Sequence, residues 1–339
     1  MYARSSRVDR TLDVVYVASR DASTTIRTDR PPACARRPRL MRRPTIGVGA
    51  RVALVAPGGR LNGEEDISRA EQNVRALGWQ PVRGLHALAR DGYLAGSDGD
   101  RLADLNAALT DDDIDAVWSV RGGYGALRII DNVDYAALRR RPKPIIGFSD
   151  VTALHAAIAT RCEVVSFHGP TARAELTSFS RSSLQRAMQG EDPCGDAAGA
   201  STIRSGRARG RLVGGNLALL CALAGTPYEP DYRDAILVLE DVNEAVYRID
   251  RMLTQLRLAG RLSECRGIVF GQFTDIPNGS ADAGERSRTL DDVVGEVVDV
   301  HQIPGIAGAP VGHVADQWTI PLGAIAELDA DARTLRILQ

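Results

Sequence analysis

Residues 51–56 read Arg-Val-Ala-Leu-Val-Ala, a short apolar run rich in strand formers, and Pro57-Gly58-Gly59 closes it. The period then changes. Ile67, Ala70, Val74 and Leu77 recur at helical spacing and predict a helix over 67–77. The same exchange of periods predicts strands over 116–120, 144–147 and 163–167, with helices over 101–109 and 152–161. Continuous apolar strands separated by amphipathic helices imply an α/β fold, a doubly wound parallel sheet covered on both faces. Ligands of such sheets gather beyond the carboxyl ends of the strands, where the loops at Pro57, Arg121 and Phe148 would lie.

Periodicity weakens between Ala172 and Arg209, where Ser, Arg, Gly, Asp and Ala dominate, and this stretch reads as a linker with one short helix. A second unit follows. It is expected to hold a helix over 216–224, a strand over 235–240 and a helix over 245–259 with the stripe Val246, Ile249, Leu253 and Leu256. A strand over 267–273, a helix over 289–300 and short strands near Ile306 and Leu335 complete it.

At 339 residues, with 44% hydrophobic and 25% charged, the chain can bury one large or two medium cores. A net charge of -1 gives no global field for a phosphate backbone or an anionic membrane, so no nucleic acid or membrane partner is expected. No run approaches the ~18 apolar residues of a membrane span. Cys34, Cys162, Cys194, Cys221 and Cys265 form an odd set without CxxC spacing, which suggests neither a disulfide framework nor a zinc site, and points to a reducing cytoplasm. Charge is uneven, because residues 1–40 carry nine Arg and four Asp, a balance of +5. The best apolar stretch there, 12–18, is broken by Asp13 and Tyr16, so it is no export signal. Two readings stand for 1–44: a basic disordered arm, or sequence upstream of a natural start at Met41. The second is preferred, since a clean first strand follows Met41 within ten residues.

Candidate chemistry sits where strands end. Gly147-Phe-Ser149-Asp150 closes a strand and opens a helix, so a serine hydroxyl would project at the sheet edge with free helical N–H groups beside it, as in a nucleophile elbow. Val151 stands where G-x-S-x-G has its second glycine. The competing reading is a plain helix cap by Ser149 or Asp150. Arg121-Gly-Gly-Tyr-Gly125 also follows a strand, and its glycines let backbone N–H groups approach an oxyanion or a phosphate, although it matches neither G-x-G-x-x-G nor a P-loop. Glu240 ends an apolar strand, where a partly buried carboxylate needs a partner, and an imidazole N–H is suitable. His313 and His168 compete equally for that role by position. His155 reads as a helix-face residue, His301 as a helix end and His86 as a loop residue.

Arg121-Gly-Gly-Tyr-Gly125 with Arg128, Gly147-Phe-Ser-Asp150 with Thr152, Gly214-Gly-Asn-Leu217, Leu239-Glu-Asp241 and Gly312-His313 occur in one order. Together they resemble the LD-carboxypeptidase family of serine peptidases, which includes murein tetrapeptide carboxypeptidases and microcin C immunity peptidases. The resemblance spans Val52 to the C-terminus. It implies an N-terminal doubly wound α/β domain over 45–171, a linker over 172–209 and a mainly β C-terminal domain with helices over 210–339. It also implies Ser149 as nucleophile, Glu240 and His313 as acid and base of a triad, and an oxyanion hole from the backbone of Gly122 and Asp150. No metal or cofactor is implied, and a cytoplasmic homodimer is.

The expected reaction is release of D-alanine from murein tetrapeptides in wall recycling. A free carboxylate calls for an arginine, and Arg121 and Arg128 are the candidates. The alternative substrate is a microcin C-type peptidyl-nucleotide, which needs an aromatic shelf; the linker offers only Phe179. A non-enzymatic ligand-binding protein is the alternative of another class. A metal hydrolase is disfavoured, because no HExxH pattern occurs.

Overall fold

Alternate residues of the first strand face two different cores, and this organises the N-terminal half. The computed structural model describes residues 40–277 and 288–338. The arm expected over 1–44 lies, apart from its last five positions, outside them. In chain order come β1 (Arg51–Val55), α1 (Glu64–Ala76), β2 (Gln80–Arg83), α2 (Asp98–Thr110), β3 (Ala116–Ser119) and α3 (Ala126–Ile129). Then follow α4 (Tyr135–Arg140), β4 (Ile145–Gly147), α5 (Thr152–Cys162) and β5 (Ser166–His168). Val52 and Leu54 pack with Ile67, Ala70 and Val74 of α1, while Ala53 and Val55 pack with Leu105 and Leu109 of α2 and Leu154 of α5. The strands β2-β1-β3-β4-β5 lie parallel in that order, so the direction of winding reverses between β1 and β3. The expected doubly wound sheet is present.

The stretch 172–209 holds more than its one expected helix, α6 (Ser178–Met188): it also supplies the edge strands β6 (Gly195–Asp196) and β7 (Ser201–Arg204). Next come β8 (Arg207–Asn216), α7 (Leu217–Leu223), β9 (Ala235–Val242), α8 (Val246–Leu258), β10 (Gly267–Thr274) and α9 (Leu290–His301). The chain ends with β11 (Gly305–Ala307), β12 (Ile320–Leu322), β13 (Ile325–Asp329) and β14 (Thr334–Ile337). The second sheet runs β6-β14-β13-β8-β9-β10-β11-β7, with a parallel centre of β8 to β11 and antiparallel margins. Its one face is covered by α7, α8 and α9 through Leu220, Ile249, Leu253 and Val298. β12 is not part of this sheet; it pairs antiparallel with β5 and closes the margin of the first one.

The halves meet in a buried polar seam. Asn216 donates its backbone N–H to Thr152 Oγ1 at 3.0 Å and its side-chain amide to Asp241 at 2.8 Å, while Asp241 also accepts from the Ala218 N–H. Asn216 is the register partner of Glu240, so the start of α5 is tied to the strand pair that carries this glutamate. Thr152→Val keeps the shape and removes the acceptor, leaving a buried N–H unpaired. Urea denaturation is expected to show a loss of about 1–3 kcal/mol; an unchanged midpoint would mean that the seam does not need this bond.

Candidate active site

Ser149 sits on strained backbone. β4 stops at Gly147, Phe148 is extended, and Ser149 has φ 63°, a conformation that residues with a side chain avoid. A single 3-10 turn, Ser149–Val151, then leads into α5. Neither side chain caps the helix, so the plain capping reading is not what the structure holds. The Asp150 carboxylate reaches across to the glycine loop instead, accepting the Ala126 N–H at 2.9 Å. Burial pushes its pKa up, and the backbone N–H groups of Ala126 and Gly125 oppose this.

The loops after β1, β3 and β4 converge as expected. Gly59 donates its N–H to the Gly122 carbonyl at 2.9 Å. Gly122 lies so near the serine that an added Cβ would come within 3.0 Å of Ser149 Cβ and 3.2 Å of its Oγ. Only glycine gives the backbone this approach.

Glu240 lies near the end of β9 and is fully buried. One of its oxygens is 2.8 Å from His313 Nδ1, and the other has no hydrogen-bond partner among the described residues. Burial pushes the carboxyl pKa up and the His313 contact pulls it back. Gly312 permits the pairing, since it has φ +111° and a Cβ there would fall 2.8 Å from Glu240 Cβ. The Phe148 ring packs against the His313 imidazole with centroids 4.7 Å apart, so the serine turn borders the imidazole. Ser149 is half-buried, and its hydroxyl has no hydrogen-bond partner among the described residues. The pair Glu240–His313 is therefore joined directly, and Ser149 is brought beside it through Phe148. His168, the other candidate partner, is fully buried on β5, and neither ring nitrogen has a hydrogen-bond partner among the described residues.

The two arginines differ. Arg128 is held by Asp98 through three contacts of 2.8 to 3.1 Å. Arg121 donates to the Arg60 carbonyl at 2.6 Å, and Asp66 acts on it through its charge. Desolvation lowers its pKa, Arg173 and Arg60 add to this, and the charge of Asp66 opposes it.

Comparison with known proteins decides the family. Residues 52–169 match the LD-carboxypeptidase N-terminal domain and residues 209–328 the LD-carboxypeptidase C-terminal domain. This chain belongs to the LD-carboxypeptidase family. A Streptomyces coelicolor protein with a provisional carboxypeptidase name is 40% identical over 308 residues, 88% of this chain and 96% of the relative. The murein tetrapeptide carboxypeptidase of Pseudomonas aeruginosa is 33% identical over 84% of this chain and 94% of its own. Among solved structures, muramoyltetrapeptide carboxypeptidase from Oxalobacter formigenes superposes with a TM-score of 0.75 at 29% identity, covering 85% of this chain and 98% of that one. The microcin C7 self immunity protein MccF in its wild-type apo state shares the fold, with a TM-score of 0.79 at 23% identity over 89% and 99% of the two chains.

In this LD-carboxypeptidase, parts of the site carry no motif. Arg101 is buried and bridges the carbonyls of Pro57 and Gly125 at 2.7 and 2.8 Å, which clamps two of the converging loops. Its position inside a predicted helix was the only signal. Behind the serine turn, His155 bonds the Gly147 carbonyl at 2.8 Å, and His168 packs near Phe148. Burial lowers the pKa of His155 to about 4 and that of His168 to about 3. Both are neutral in the folded LD-carboxypeptidase, whereas in the unfolded chain they take up protons near pH 6.5. Falling pH thus favours unfolding from about pH 6.5 downward, by up to about 1.4 kcal/mol per pH unit for each histidine. Urea titrations at pH 7, 6 and 5 are expected to show this steady loss; a flat series would mean that the rings are charged when folded.

Proposed function

We propose that this chain is a serine carboxypeptidase that hydrolyses the L,D-amide bond before the terminal D-alanine of murein tetrapeptides, working in the cytoplasm in wall recycling. The observation that carries the reading is the 2.8 Å contact of buried Glu240 with His313, beside a serine held at φ 63°. The 33% identity to a murein tetrapeptide carboxypeptidase supports the substrate. In this proposal 45–171 is the nucleophile domain, 172–209 the linker and 210–339 the domain of the acid and base. The homodimer implied by the resemblance belongs to it as well.

Glu240 accepts the Nδ1–H of His313, which leaves Nε2 to take the Ser149 proton as Oγ attacks the amide carbonyl. The N–H groups of Gly122 and Asp150 receive the oxyanion. As the tetrahedral intermediate collapses, His313 returns the proton to the D-alanine nitrogen, and water then attacks the acyl-enzyme through the same base. Arg121, which is bound to a backbone carbonyl and feels Asp66 only through its charge, is the cation offered to a substrate carboxylate; Arg128 is already engaged by Asp98.

Ser149→Ala is expected to lower kcat by about 10⁴-fold or more with an unchanged circular dichroism spectrum, and Glu240→Gln by about 10³- to 10⁴-fold. Burial pushes the Glu240 pKa up, and its protonation removes the anchor of the His313 ring, so kcat/KM is expected to fall on the acid side of its pH profile. Retention of most activity by Ser149→Ala would remove the serine from the role of nucleophile. The fold shared with MccF keeps a peptidyl-nucleotide as the competing substrate. Mass spectrometry of parallel incubations is expected to detect D-alanine from a murein tetrapeptide; amine release from the peptidyl-nucleotide alone would reverse the assignment.

A further inference from the structure

His313 rides on an excursion of the chain that is closed at its neck. Gln272 of β10 donates its N–H to the Val311 carbonyl at 2.8 Å, and Trp318 donates to the Pro310 carbonyl at 2.7 Å, so residues 311–317 bulge out between two fixed points. Inside the bulge, Val314 donates to the Gly312 carbonyl and the Gln317 side chain to the Val314 carbonyl, both at 2.9 Å. Among the described residues, every hydrogen bond that reaches 314–317 from outside comes from α6 and its cap.

Ser180 supplies two of them. Its hydroxyl donates to the Ala315 carbonyl at 2.7 Å and accepts the Gln317 N–H at 2.8 Å, so a single oxygen bridges two backbone groups of the bulge. At 1% exposure Ser180 leaves water no access to replace either bond. Thr177, the cap of α6, accepts the Ser180 N–H at 3.1 Å and donates to the Asp316 carboxylate at 2.6 Å. That carboxylate lies at the positive end of the helix. α6 therefore grips 315, 316 and 317 in succession, starting two positions beyond the imidazole.

We propose that Ser180 is a positioning residue for His313. The inference rests on the hydrolase reading above, in which this imidazole is the base. The Glu240 contact fixes Nδ1 alone, and a ring held at one atom can pivot about it and carry Nε2 away from the serine. On the N-terminal side of His313 the backbone is a glycine at φ +111°, which by itself restrains little. Restraint has to come from the C-terminal side, and that is where α6 acts. A stretch expected only to join two domains thus sets the angle of the base.

The same helix offers a matched control. Ser183, 4% exposed, also bridges two backbone groups, accepting the Thr319 N–H and donating to the Pro193 carbonyl, both at 2.8 Å. Thr319 lies beyond the neck, so Ser183 braces the fold without touching the bulge. The test compares Ser180→Ala with Ser183→Ala in two ways: D-alanine release from a murein tetrapeptide, and the imidazole Nδ1–H signal of His313 in the proton NMR spectrum, assigned by its displacement in Glu240→Gln. Both variants are expected to lower the urea midpoint. Ser180→Ala alone is expected to lose about 10- to 100-fold in kcat, with KM within about twofold of wild type, and to broaden the signal. If Ser180→Ala does not fold, Ser180→Cys carries the comparison, because a thiol is a weak donor and a weak acceptor. Broadening in the Ser180 variant alone, with no D-alanine released even by wild type, would keep the positioning role and remove the hydrolase reading. Unchanged kcat and signal at Ser180, equal kcat losses in the two variants, or a loss carried by KM alone would overturn the role.

Discussion

A carboxylate without access to water must find its counterpart inside the protein, and Glu240 finds the His313 ring. Everything else about the site follows from keeping those two groups 2.8 Å apart. The glutamate is delivered by β9, a strand buried along most of its length in the parallel centre of the second sheet, so its backbone cannot shift without moving β8 and β10. The histidine arrives on a segment whose glycine passes against the glutamate stem, and the ring is then backed by Phe148. Because half of the carboxylate is left without a hydrogen bond, its burial is costly, and the His313 contact is the main compensation available. Such an arrangement favours one orientation of the imidazole over all others.

The first sheet contributes a different constraint. Its loops after β1, β3 and β4 are short and cross-braced, by Asp150 reaching to Ala126 and by Arg101 reaching to Pro57 and Gly125. Those bonds hold a serine in a conformation that costs of order 1–3 kcal/mol. The seam at Thr152 and Asn216 then fixes the serine-bearing helix to the strand pair of Glu240. Two separately built sheets are thereby joined through one polar seam.

Much of this was legible from residue order, and what was not has a physical reason. Helices with clean stripes, such as α8, and apolar strands, such as β9 and β10, lie within a residue or two of where periodicity puts them. β8 was missed, although it is ten residues long, because Arg-Ala-Arg-Gly-Arg-Leu-Val-Gly-Gly-Asn carries the charges and glycines of a loop, and its pairing partners are remote in sequence. The strand expected over 163–167 starts later, since Glu163 takes a left-handed conformation to end α5. Around the serine, Gly122 and the loop after β3 could be placed at the sheet edge by pattern alone. The choice between His313 and His168 could not, because it depends on which imidazole meets Glu240 across 73 residues of chain.

One consequence concerns synthesis. β12, which borders β5, begins at Ile320, so the last partner of the first sheet leaves the ribosome long after its other five strands. Until then β5 presents unpaired backbone groups, an invitation to pair with another nascent chain. A sheet that waits for so distant a strand ties quality control to synthesis of that strand: a chain cut short before residue 320 cannot seal the margin, however well its first half has formed.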